Sequence, residues 1–88
     1  MREYLKFYIN GAWVDPVTAK TADVINPATE KIAGRISMGS AADVDLAVKA
    51  ARKAFATYSQ TSVADRVALL ERIIAEYKVR YNDMAAAI

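Results

Sequence analysis

Residues 62–88 read SVADRVALLERIIAEYKVRYNDMAAAI. The apolar side chains Val63, Val67, Leu70, Ile74, Tyr77, Tyr81, Met84 and Ile88 recur at alternating steps of four and three. That is the period of one helical face, so the spacing predicts a single long helix over the last third of the chain. Ser62 begins it as an N-cap, its hydroxyl placed to accept from the Asp65 amide. Arg72 with Glu76, and Glu76 with Arg80, are spaced one turn apart on the wet face. A stripe this long needs a cover, and the preceding residues can supply only part of one. In the closing residues DMAAAI, Ala and Met are strong helix formers and no Gly, Asn or Pro closes the helix, so it is expected to continue past Ile88. A frayed natural terminus is the other reading. The chain therefore reads as one segment of a larger protein.

A second helix precedes the first. The Ser40 hydroxyl can accept from the Asp43 amide, and the Asp43 carboxylate suits the positive end of the helix. Val44, Ala47, Val48, Ala51, Phe55 and Tyr58 form its expected buried stripe. Asp45 and Lys49 are spaced to pair across one turn. Ala47, Ala50, Ala51 and Ala54 are small enough for another backbone to approach. Asp43 and Asp45 lie two apart on a helix and do not face each other, which argues against a carboxylate pair for hydrolysis.

The first 38 residues read as β-structure. Asn10 and Gly11, between Phe7-Tyr8-Ile9 and Ala12-Trp13-Val14, predict a hairpin closed by a type I′ turn, because both residues tolerate positive φ. The Trp13 ring is expected to hold the hairpin against apolar surface, with a stacking platform for a ligand as the alternative. Ala22-Asp23-Val24-Ile25 reads as a short strand closed by a turn at Asn26-Pro27. Ile32, Gly34, Ile36 and Met38 then alternate with Lys31, Ala33, Arg35 and Ser37, as in a strand with two faces. Gly34 interrupts one face, which suggests a bulge or a close backbone approach.

Composition removes several function classes. The chain is 55% hydrophobic and 25% charged, which excludes disorder. It has 12 basic and 10 acidic residues, interleaved, so no basic stripe is available for nucleic acid. With no cysteine and no histidine, the chain offers no thiolate nucleophile, no imidazole base and no Cys/His zinc site. Glycines are too scattered for a phosphate-binding loop. No run approaches a membrane span and no signal peptide opens the chain, so a cytoplasmic location is expected.

Taken together, YINGAWV at 8–14, VINPATE at 24–30, GRI at 34–36, GSAADVD at 39–45, AVKAARKAF at 47–55 and SVADRVALLER at 62–72 resemble the N-terminus of an NAD(P)-dependent aldehyde dehydrogenase. The resemblance covers essentially the whole chain. One departure is Tyr58 before Ser59, where the family often has tryptophan; tyrosine is expected to keep a buried ring there. The resemblance implies an α+β fragment of the α/β aldehyde dehydrogenase fold, an N-terminal segment of the cofactor-binding domain with residues 1–38 β-rich and 40–88 forming two helices. The catalytic domain lies outside it. It further implies that the complete protein oxidises an aldehyde to the acid with NAD or NADP through a cysteine thioester. This segment alone would be inactive and would bind no cofactor. Its partners would be the remainder of the polypeptide and further copies in a homo-oligomer, with neither nucleic acid nor membrane. The resemblance also implies a monovalent-cation site at the main-chain carbonyls of Val24 and Ile25, completed by an aspartate beyond Ile88. A strand ladder is the plain alternative for those carbonyls.

A non-enzymatic reading competes. Val67, Ile74, Tyr81 and Ile88 fit position a of a heptad, and Val63, Leu70, Tyr77 and Met84 fit position d. On that reading the chain is an interaction module pairing through residues 63–88.

Overall fold

Asn10 and Gly11 take φ of 55° and 76°, the two positive values a type I′ turn demands. They join β2 (Phe7–Ile9) to β3 (Ala12–Val14) in antiparallel register, Phe7 opposite Val14, Tyr8 opposite Trp13 and Ile9 opposite Ala12. The structure, a computed structural model, describes residues 2–88. By contact the chain divides into two compact units, one reaching to Phe55 and the other beginning at Ala56.

The first unit also holds a mixed three-stranded sheet. Its strands are β1 (Arg2–Tyr4), β4 (Thr21–Ile25) and β5 (Ile32–Ser37), in the order β1-β5-β4. The central strand β5 runs parallel to β1 and antiparallel to β4. Strand β1 carries too few apolar residues to be recognised in isolation; it exists because β5 offers it an edge. Ser37 Oγ extends the seam by donating to the Leu5 carbonyl at 2.7 Å. The β4–β5 turn is tied by the Asn26 side chain. Its Oδ1 accepts from the Ala28 amide at 2.9 Å, the Asn26 amide donates to the Lys31 carbonyl at 2.8 Å, and Glu30 sits at φ 58°.

Gly34 resolves as a close approach. A Cβ there would lie 2.7 Å from the Arg2 carbonyl oxygen. The bulge falls one step away: Val24 opposes Gly34 and Ile25 opposes Ile32, leaving Ala33 as the extra residue. That slip transfers Ile32 to the face of Ile25, opposite Gly34 and Ile36, so the even-numbered face expected for β5 is broken at Ala33. On the other face Arg35 lies in register between Glu3 and Asp23, at 3.7 Å and 3.1 Å from their carboxylates. Opposite charges side by side on neighbouring strands hold the register, although each exposed pair contributes little.

Helix α1 (Ala41–Tyr58) follows Gly39 and Ser40. In the second unit α2 spans Val63–Val79, with the Ser62 hydroxyl accepting from the Asp65 amide at 3.1 Å as expected. The single long helix does not form. It stops at Arg80 (φ −102°, ψ 22°) and restarts as α3 (Tyr81–Ala87). The Arg80 amide is shared between the carbonyls of Glu76 and Tyr77, both at 3.1 Å. Its guanidinium turns forward to Asp83 at 3.4 Å, in the first turn of α3, where the carboxylate also meets the positive helix end. Forward pairing thus replaces the Glu76–Arg80 pair. Among the described residues neither that pair, nor Arg72–Glu76, nor Asp45–Lys49 closes as an ion pair.

The buried stripe expected on α1 is also corrected. Among the described residues no apolar side chain is buried. Phe55 on α1 is 61% exposed, and the whole α2–α3 stripe is open. Three-residue strands and helices without a facing layer do not provide enough neighbouring atoms to cover these side chains.

Candidate functional site

Among the described residues Asp43 is the single buried polar or charged side chain, 5% exposed. Its position follows from the sequence GSAAD, in which Gly39 lies in the connection after β5 and Ser40 leads into the helix. One carboxylate oxygen accepts from the Val17 amide at 2.9 Å. The other accepts from the Ser40 amide and the Ser40 hydroxyl, each at 3.0 Å. The Asp43 amide returns a longer contact of 3.4 Å to Ser40 Oγ. Sequence reasoning found the reciprocal cap. It missed Val17, whose amide lies in a polar connection with no pattern to mark it.

The Val17 amide, and after it the Ser40 amide, hold the Asp43 carboxyl below its ordinary value of 3.8; burial opposes them, and the Ser40 hydroxyl assists. Such a carboxylate has its lone pairs committed to donors within the fold. It serves as a latch between the 15–20 connection and the start of α1, not as a proton acceptor for a substrate. The sign for stability follows. The folded state binds this proton more weakly than the unfolded chain, so the contribution is complete above the usual carboxylate range. It is lost as pH falls through the depressed folded value. In the full-length protein, Asp43→Asn is therefore expected to lose stability near neutrality and to lack that component of the acid transition below the usual carboxylate range. Hydrogen exchange of the α1 first turn against pH checks this; an acid limb identical to wild type would defeat it.

Val24 and Ile25 stand side by side at the end of β4, at the bulge. The extra, unpaired residue of that bulge is Ala33 on β5, while Val24 and Ile25 keep their partners Gly34 and Ile32. No group of three or more metal-competent His, Cys, Asp or Glu side chains occurs among the described residues.

Grooves open between the hairpin and α1 in the first unit. One, of about 470 Å³, lies between the hairpin tip and Ala47, Ala50, Ala51 and Ala54 of α1. Small side chains on α1 create this space, as expected for a close approach. The second, of about 450 Å³, includes Val14, Leu46, Lys49 and Lys53. Trp13 takes part in neither; it is 66% exposed and packs edge-on against Tyr8, ring centres 5.2 Å apart. Its contact is thus a cross-strand pair on the hairpin, not an anchor in a core.

In the second unit Arg66 closes the α1–α2 connection. Nε donates to Thr61 Oγ1 at 2.9 Å, and one terminal nitrogen reaches the Tyr58 and Ser59 carbonyls at 3.3 Å and 3.4 Å. The guanidinium also lies 5.4 Å from the Tyr58 ring centre. Tyr58 is 49% exposed, so the expected buried ring is corrected to an open plate beneath a cation. These contacts tie the connection to the first turn of α2.

The aldehyde dehydrogenase family model matches residues 13–88, and the chain belongs to that family. It is 51% identical to 3-succinoylsemialdehyde-pyridine dehydrogenase of a Pseudomonas species, over all 88 residues and 18% of that relative. It superposes on the crystal structure of an aldehyde dehydrogenase from Bartonella henselae with a TM-score of 0.93 and 45% identity, over 98% of this chain and 18% of that one. Mycobacterium tuberculosis aldehyde dehydrogenase complexed with NAD+ gives a TM-score of 0.85 at 35% identity, over 94% of this chain and 18% of that one. The chain thus spans about a fifth of the length of these relatives. No helix among the described residues is long and apolar enough to cross a membrane.

Proposed function

We propose that these 88 residues are the N-terminal segment of the cofactor-binding domain of a cytoplasmic aldehyde dehydrogenase, and that their role is to scaffold it. The observation that carries this reading is the 0.85 TM-score, over 94% of the chain, to a relative complexed with NAD+. The full-length polypeptide oxidises an aldehyde to the carboxylic acid with NAD or NADP and works as a homo-oligomer. A cysteine thioester carries the reaction. The chain contains no cysteine, so the nucleophile belongs to residues outside it. The three glycines, Gly11, Gly34 and Gly39, are dispersed over a turn, a strand and the connection before α1. They form no phosphate cradle, and no cofactor-binding step is assigned to this segment.

Supplying the full-length protein with aldehyde and NAD+ or NADP+ should produce an absorbance rise from the reduced nicotinamide. The 88-residue chain alone should produce none. A full-length protein that reduces neither cofactor with any of a panel of aliphatic and aromatic aldehydes would overturn the reading. The carbonyls of Val24 and Ile25 are assigned to a monovalent cation, because hard oxygen donors suit such ions and the bulge falls between these residues. Thallium soaked into crystals of the full-length protein should give anomalous density beside both carbonyls; a featureless map there would remove the site.

The pairing module is the weaker reading. The break at Arg80 interrupts the heptad seam between Tyr77 and Tyr81, whereas a coiled coil needs continuous a and d positions over several turns.

A further inference from the structure

The chain contains three asparagines, Asn10, Asn26 and Asn82, and only one is exposed to a particular self-inflicted chemistry. Asparagine is thermolabile because its carboxamide carbon can be attacked by the main-chain nitrogen of the following residue. The attack needs a reachable carboxamide, a following residue without a crowding side chain, and an amide not already held in a hydrogen bond. We propose that Asn10 is a deamidation site, at which the tip of the β2–β3 hairpin converts to aspartate and isoaspartate through a succinimide.

All three conditions meet at Asn10. The residue is exposed and is followed by Gly11. The position a Gly11 Cβ would occupy has no heavy atom within 4 Å. The ladder pairs Ile9 with Ala12 and leaves both tip residues outside it. Among the described residues no hydrogen bond falls on the Gly11 amide or the Asn10 carboxamide. The flanking strands have three residues each, so transient opening of the tip, which lets the peptide plane turn toward the carboxamide, is cheap. Asn26 fails on two counts: its Oδ1 is held by the Ala28 amide at 2.9 Å, and Pro27 has no N–H to attack with. Asn82 sits within α3 and is followed by Asp83, which adds a side chain and a negative charge beside the reacting amide.

The step balances without an oxidant or a catalyst. The Gly11 nitrogen bonds to Asn10 Cγ and loses its proton, while the carboxamide nitrogen leaves as ammonia. Water then opens the ring at either carbonyl. One opening gives aspartate, which tolerates positive φ as asparagine does. The other gives isoaspartate, which adds a methylene to the main chain. A two-residue loop has no slack for it, so the Phe7–Val14 register loosens. Either product places a carboxylate on the groove that also includes Lys49 and Lys53.

The test is incubation of the full-length native protein in heavy-oxygen water at mildly alkaline pH, followed by peptide mapping that separates aspartate from isoaspartate. The expected result is conversion at Asn10 several-fold faster than at Asn26 or Asn82, with isoaspartate present and one heavy oxygen gained. Urea-unfolded protein run in parallel guards against a protected tip. Conversion at Asn10 only in urea would overturn the proposal. So would equal rates at the three asparagines in the native protein, or an unconverted Asn10 in both samples.

Discussion

Gly34→Ala is expected to detach β1 from the sheet. The new methyl carbon would lie 2.7 Å from the Arg2 carbonyl oxygen, a backbone atom that cannot swing aside as a flexible side chain would. Relief requires β1 and β5 to part, which loosens the parallel pairing of Arg2, Glu3 and Tyr4 with Gly34, Arg35 and Ile36. Glu3 then loses its place beside Arg35, and the Leu5 carbonyl its place beside Ser37. Overpacking of this kind costs about 1–3 kcal/mol. In the full-length protein the β1 and β5 amides should exchange faster by the corresponding factor, while α2 amides stay unchanged. Protection of β1 equal to wild type would show that the strands adjust at no cost. Gly11→Ala has a different origin: space is open around Gly11, and the penalty comes from its φ of 76°.

That contrast also shows what the sequence could disclose. Asn-Gly specifies its own turn, because the permitted φ values belong to the residues themselves; Ser62 specifies its own cap for a similar local reason. Gly34 announced an irregularity, but only the partner strand could say which. The sequence Arg-Glu-Tyr has no alternation, so β1 was invisible until β5 was in place. The same holds for the bulge, where pairing, not propensity, moved Ile32 to the other face. Arg80 shows the limit within a helix. Its neighbours are good helix formers, yet a forward contact to Asp83 accompanies a break that no Pro or Gly marks. Of the candidate site, the Ser40–Asp43 half was legible and the Val17 half was not, since a main-chain amide donor leaves no trace in residue type. The carbonyls of Val24 and Ile25 leave none either; they entered through family resemblance alone.

Leu70→Ala and Ile74→Ala should have very different effects in two contexts. In the 88-residue chain these side chains are 57% and 54% exposed. Truncating them removes few contacts, so each change should stay within about 0.5 kcal/mol, as for surface substitutions generally. If the stripe is covered in the full-length protein, each truncation instead opens a cavity and costs about 2–5 kcal/mol. The same logic applies to the short chain itself. With no buried apolar side chain among the described residues, it lacks the term that opposes chain entropy. It should unfold without a sharp transition and bind a hydrophobic dye strongly, with weak near-ultraviolet dichroism from Trp13 and the tyrosines. Hydrogen exchange of the α2 amides in the full-length protein, with and without Leu70→Ala, reads the first effect; dye binding and dichroism of the short chain read the second. A full-length protein indifferent to both truncations would mean that the stripe faces solvent there too. Scaffolding through α2 would then be refuted, whatever the activity of the full-length protein.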